Sequence, residues 1–141
     1  MQIHENISLK PYNTFGIDVE AQYWAAIEDV QDLQEVLLQI QSNPLLVLGG
    51  GSNVLFTRDI AGWVLHNQIR GIEKVGEDEQ FVYVRAGAGE KWHDLVLYTI
   101  AQNWGGMENL ALIPGCVGAS PMQNIGAYGV EIKDIFHELE A

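Results

Sequence analysis

Apolar residues in this chain fall into short runs, most of them spaced for strands and two of them for helices. Tyr23 to Ile27, reading YWAAI, predicts a first strand. Asp29 then makes a good N-cap, with Asp32 three residues on and Val30, Leu33, Leu37 and Ile40 at helical spacing. That helix is expected to end near Ser42–Asn43–Pro44. Leu45 to Leu48 (LLVL) is apolar throughout, the pattern of a strand buried on both faces. Trp63 to His66 predicts another strand, and Ile72–Val75 and Phe81–Ala86 flank the polar run Gly76–Glu77–Asp78–Glu79 as a hairpin would. A second helix is expected from about Lys91 to Asn103, with Trp92, Leu95, Val96 and Ile100 on one face and Gly105–Gly106 as its stop. Ser120 and Pro121 suit the N-cap and first position of a short third helix, and a last strand is expected to begin near Val130. Residues 1–22 read as mixed, with Pro11, Asn13, Gly16 and Asp18 as turn formers around a short hydrophobic seed, Tyr12 and Phe15.

Two glycine-rich stretches interrupt this pattern. The longer, Ile113 to Glu131, reads IPGCVGASPMQNIGAYGVE and contains no charge before its last residue. Its glycines alternate with Ile113, Val117, Ile125 and Tyr128, which a flexible linker would not contain, so it reads as ordered backbone laid against a ligand. The shorter, Gly49 to Asn53 (GGGSN), follows a β–α–β order that invites a nucleotide-binding reading. A Rossmann fingerprint fails because Val54 stands where its third glycine belongs, and a P-loop fails for want of Gly-Lys-Ser/Thr. A tight turn between strands also accounts for this loop taken alone.

Charge narrows the choice of ligand. The 141 residues carry a formal charge of −12, which argues against nucleic acid or an anionic membrane as partner. With seven scattered basic residues, a phosphate-bearing ligand would have to be held largely by backbone N–H groups. Nearly half the residues are apolar, enough for a packed core. No apolar run approaches the roughly 20 residues that span a bilayer, and the first residues lack the layout of a signal peptide. A lone cysteine, Cys116, excludes an internal disulfide, and a cytoplasmic location is expected.

No catalytic set announces itself. Cys116 reads as a small buried apolar residue, since no base is placed near it by sequence. His4, His66, His93 and His137 are scattered without metal-ligand spacing, so no metal is expected. Glu73, Glu77, Asp78 and Glu79 read as a solvated hairpin tip. Ser52 and Ser120 are better placed as hydrogen-bond donors to a ligand than as nucleophiles. Gly51 is expected to allow a close backbone approach to a ligand phosphate.

Four segments, NTFGI (Asn13–Ile17), LGGGSNVLF (Leu48–Phe56), GAGEKWHDLV (Gly87–Val96) and ENLALIPGCVGASPMQNIGAYGVE (Glu108–Glu131), resemble the UDP-N-acetylenolpyruvoylglucosamine reductase family. This is an FAD-dependent family of bacterial peptidoglycan precursor synthesis, also called UDP-N-acetylmuramate dehydrogenase. The resemblance implies an α+β, vanillyl-alcohol-oxidase-like (PCMH-type) FAD-binding fold of two subdomains, expected at 1–66 and 67–141, with the second incomplete. By the same resemblance Gly49, Gly50, Gly51, Ser52 and Asn53 would contact the FAD pyrophosphate. Ile113, Pro114, Gly115, Gly118, Ala119, Ser120, Ile125, Gly126 and Tyr128 would line the flavin. The family passes a hydride from NADPH through FAD to the enolpyruvyl double bond of UDP-N-acetylenolpyruvoylglucosamine. Its catalytic arginine, its Ser or Cys proton donor and its glutamate lie in segments without a counterpart here. The chain therefore reads as the N-terminal, cofactor-holding part, inactive and prone to self-association alone. A stand-alone flavin- or nucleotide-binding module is the alternative.

Overall fold

The computed structural model describes all 141 residues, which divide into two compact units, Met1–Arg70 and Gly71–Ala141. The first is built on a four-stranded sheet of β1 (Ile3–Ser8), β2 (Glu20–Ile27), β3 (Leu45–Leu48) and β4 (Ile60–Asn67), in the order β1-β2-β4-β3. β1 lies antiparallel to β2, whereas β2, β4 and β3 run parallel. Alternation of side chains along β4 explains two cores. Trp63 and Leu65 pack with Ala25, Ile27, Val36 and Ile40 beneath α1 (Val30–Ile40), while Val64 packs with Leu9, Val19, Trp24, Leu48 and Phe56 on the opposite face. Asp29 caps α1 as expected, its carboxylate accepting the Asp32 N–H at 2.8 Å.

Two expectations for this unit need correction. β1 was not foreseen, because Asn6 at φ 52° breaks the alternation of Ile3 and Ile7. β3 is not buried on both faces: it is an edge strand, with Leu45 and Val47 exposed and only Leu48 fully inside. The strand covered on both faces is β4, where Trp63, Val64 and Leu65 are all buried.

Unit two starts with a hairpin of β5 (Ile72–Glu77) and β6 (Val82–Ala86), so Gly76 and Glu77 belong to a strand rather than to the turn. Asp78 builds that turn by accepting the N–H groups of Gln80 and Phe81, both at 2.8 Å. Helix α2 (Trp92–Ala101) buries Trp92, Leu95, Val96 and Thr99. The expected fourth position, Ile100, is exposed; Thr99 takes its place, its hydroxyl donating to the Val96 carbonyl at 2.9 Å. Beyond α2 come short elements only: 3-10 turns at Glu108–Leu110, Val117–Ala119 and Ile132–Asp134, α3 (Ser120–Gln123), and the strand pair β7 (Gly126–Ala127) and β8 (Val130–Glu131). The last strand is therefore two residues long, and residues 135–141 form no regular element. No helix is long and apolar enough to cross a membrane.

Candidate functional site

In the first unit, β3 delivers the chain directly into Gly49–Asn53. Gly51 takes φ 62°, and its carbonyl accepts the Thr14 N–H at 3.0 Å. A Cβ on Gly51 would stand 2.0 Å from the Tyr12 carbonyl oxygen and 2.9 Å from Asn13 Cα, so no other residue fits. The close approach expected between Gly51 and a ligand is instead made to the chain's own backbone. Underneath, the Asn13 side chain is 7% exposed and fully engaged. Its Nδ2 donates to the carbonyls of Leu9 (2.8 Å) and Ile17 (3.0 Å), and its Oδ1 accepts the Ile17 N–H (3.0 Å). Gly50 and Asn53 face solvent, with Gly49 and Ser52 half-buried.

His66, the last-but-one residue of β4, flanks the loop. Its Nδ1 is 2.9 Å from Gln68 Nε2, and its ring meets Tyr12 edge-on at 5.2 Å. Burial, and then the nearby Arg70 charge, hold its imidazole below the ordinary range, with the Gly49 backbone pulling the other way.

In the second unit, the stretch after Leu112 is laced to the turn that precedes α2. Trp92 N–H donates to the Gly115 carbonyl (3.0 Å), Val117 N–H to Glu90 (2.9 Å) and Gly118 N–H to Ala88 (2.9 Å). The Trp92 indole adds a bond to the Leu110 carbonyl at 2.8 Å, and the Leu112 N–H donates to His93 Nδ1 at 3.2 Å. Cys116 is buried within this lacing, as its reading as a small apolar residue requires. The segment GAGEKWHDLV thus has a role that its sequence did not disclose: it is the bed on which the longer glycine stretch lies.

Two residues expected to face a ligand are turned inward. Ser120 is not an N-cap: Ala119 holds that position, and the Ser120 hydroxyl, 3% exposed, donates to the Val117 carbonyl at 2.7 Å. Ile125 is 8% exposed and packs into the core with Trp92, Leu95 and Leu110. Its N–H goes to Ser120 (3.3 Å) and its carbonyl accepts from Ile132 (2.8 Å), which leaves it a supporting part. Ile113 is partly buried against the same core, and Gly115 and Ala119 are half-buried. Pro114, Gly118, Gly126 and Tyr128 are exposed. Tyr128 (φ 51°) and Gly129 (φ 80°) form the two-residue link between β7 and β8, so a tyrosine 88% exposed sits at a left-handed turn position.

A shallow cleft of about 550 Å³ opens beside Asn124, Gly126, Val130 and the Glu131–Lys133 ion pair. Of the residues expected to line the flavin it includes only Gly126, and its wall carries the charged Glu131, Lys133 and Asp134. No group of three or more His, Cys, Asp or Glu stands close enough to hold a metal ion. Taken separately, each loop offers a surface compatible with an anionic group such as the FAD pyrophosphate. Neither Gly49–Asn53 nor 113–130 contains an acidic side chain.

Over residues 21–141 the chain matches the family described as an FAD binding domain. It is 54% identical over its full length to the UDP-N-acetylenolpyruvoylglucosamine reductase of Pseudomonas putida. To the protein of the same name from Flavobacterium johnsoniae it is 52% identical over 96% of its length. It covers 42% and 40% of those two proteins, and so spans about two fifths of the length of the curated relatives it matches. The solved UDP-N-acetylenolpyruvylglucosamine reductase from Thermus caldophilus superposes with a TM-score of 0.71 at 27% identity, covering 95% of this chain and 46% of that one. The architecture is accordingly the α+β PCMH-type FAD-binding fold.

Proposed function

The chain belongs to the FAD-binding domain family, and from that premise we propose that it forms the flavin-holding part of a reductase acting on UDP-N-acetylenolpyruvoylglucosamine. Relatives bearing that name at about half identity over the whole chain support this reading. Bound FAD would supply two-electron hydride chemistry, with NADPH as reductant and the enolpyruvyl double bond as acceptor.

The observation that carries the proposal is the placement of charge. Nineteen acidic residues are spread over the chain, yet none falls in Gly49–Asn53 or in 113–130. At Gly49–Asn53 a dianionic pyrophosphate would meet neutral N–H and hydroxyl groups, in a protein that elsewhere repels it. In the first unit Gly49, Gly50, Ser52 and Asn53 offer those groups, with Gly51 fixing their backbone. In the second, Pro114, Gly115, Gly118, Ala119 and the ring of Tyr128 offer a neutral, largely apolar surface for the flavin. Ser120 and Ile125 support that surface from beneath. No proton-transfer step is assigned to residues 1–141.

Titration of the chain with FAD, followed by quenching of flavin fluorescence, is expected to saturate at one FAD per chain. A protein carrying this chain together with the rest of the relatives' length is expected to oxidise NADPH only when the enolpyruvyl sugar nucleotide is present. Absence of both saturable binding and substrate-dependent oxidation would overturn the proposal.

A further inference from the structure

We propose that Asn13 is a positioning residue for the Gly49–Asn53 loop, acting through the backbone of Tyr12–Thr14 to hold that loop in its pyrophosphate-ready shape. The part concerning pyrophosphate rests on the FAD reading above; the part concerning loop shape does not.

Three observations converge on it. Asn13 uses both N–H bonds and its carbonyl oxygen within the Leu9–Ile17 turn, tying Leu9 and Ile17 across four residues on either side. A buried amide so engaged fixes the peptide planes beside it, because any rotation would strand a donor in the core. Those planes are the ones Gly51 rests on: its carbonyl takes the Thr14 N–H, and its Cα sits where a Cβ would strike the Tyr12 carbonyl and Asn13 Cα. The turn itself is held to the sheet, since the Leu9 N–H donates to the Val19 carbonyl at 2.7 Å and Leu9 is fully buried. Sheet, turn and glycine loop thus form a mechanical series with Asn13 in the middle. Neither Asn13 nor Thr14 touches a ligand in this scheme. Their work is to spare the loop the entropy of ordering itself when an anion arrives.

Amide hydrogen exchange on the 141-residue chain without FAD tests the loop claim directly. Asn13→Ala is expected to speed exchange in the Gly49–Asn53 peptide by about tenfold or more while α1 and β4 keep their protection. Thr14→Pro provides a second variant that removes the N–H bound to Gly51 and sets the proline Cδ against the Gly51 carbonyl, 3.0 Å from that nitrogen, so that it parts the loop from the turn without touching Asn13. Asn13 already has the extended backbone (φ −140°, ψ 142°) that a residue before proline adopts. It should give the same local signature. Unchanged loop exchange in Thr14→Pro would overturn the proposal, as would uniform loss of protection across the first unit in both variants. A second readout is the dissociation constant for FAD against that for riboflavin, which lacks the pyrophosphate. The variants should weaken FAD about tenfold and leave riboflavin unchanged. Equal weakening of both flavins would remove the pyrophosphate part of the claim. If the unaltered chain itself fails to bind FAD, the reading of the loops as a flavin site falls, while the exchange data still decide whether Asn13 shapes them.

Discussion

Gly118 stands so close to Ala88 that it cannot take a side chain. The Gly118 N–H reaches the Ala88 carbonyl at 2.9 Å, and a Cβ on Gly118 would lie 2.7 Å from the Cβ of Ala88. The partner atom is a stiff methyl group on a turn, not the end of a flexible side chain. Gly118→Ala is therefore expected to push the two segments apart, at a cost of about 1–3 kcal/mol from overpacking. Chemical denaturation should show that loss. The paired variant Ala88→Gly with Gly118→Ala should recover part of it, because the clashing methyl is gone.

Gly50 offers the cleaner test of charge. It is exposed, unlike Gly51, whose replacement would dislodge the loop from Tyr12 whatever the ligand. Gly50→Asp places a carboxylate beside the expected pyrophosphate. At an effective dielectric constant of about 20, like charges several ångströms apart repel by a few kcal/mol. FAD affinity should fall at least about tenfold, and part of the loss should be regained at high ionic strength. Unchanged affinity in a fluorescence titration would count against the loop as a phosphate site.

Trp92 anchors the longer glycine stretch through its backbone N–H on Gly115, and the turn just before that stretch through its indole N–H on Leu110. Trp92→Phe keeps most of the apolar surface but leaves the buried Leu110 carbonyl without that donor. The expected destabilisation is about 1–3 kcal/mol. Loosening should concentrate between Leu110 and Val117, where hydrogen exchange should accelerate more than in the β5–β6 hairpin.

Acid should weaken the first unit through His66. Its folded pKa is lowered, chiefly by burial, so the unfolded chain binds a proton more readily. The associated stability is fully present above the ordinary imidazole value of about 6.5 and is lost as pH falls through the lower folded value. Unfolding midpoints recorded from pH 8 to pH 5 should therefore drop on the acid side, and His66→Gln should flatten that part of the profile.

Periodicity disclosed the elements whose pattern is local. α1 was legible because Asp29 caps it and its apolar residues recur every three or four positions. β3 was legible as a strand but misjudged in burial, since an all-apolar tetrapeptide looks the same at an edge as in the middle of a sheet. Ile100 and Thr99 exchanged places because one hydroxyl finds the Val96 carbonyl inside its own helix, a pairing that hydrophobicity ignores. Glycine density marked the two loops, but not what lay under them. Tyr12–Asn13 and Ala88 are distant in sequence from the glycines they support, and only tertiary contact reveals that Gly51 and Gly118 are small for the protein's own sake. The inward turn of Ser120 and Ile125 was hidden for the same reason: a resemblance reports which residues accompany a ligand, not which face it.

Tyr128 carries a consequence of a different kind. At φ 51° it occupies a conformation that costs an L-residue about 1 kcal/mol and that glycine or asparagine adopts more easily. Its ring recovers little of that through packing, being almost wholly in water. Replacing it by Asn or Gly should raise the melting temperature of the isolated chain. The hairpin tip thus keeps an aromatic ring where folding by itself would prefer none, and stability selection acting on this chain alone would have removed it.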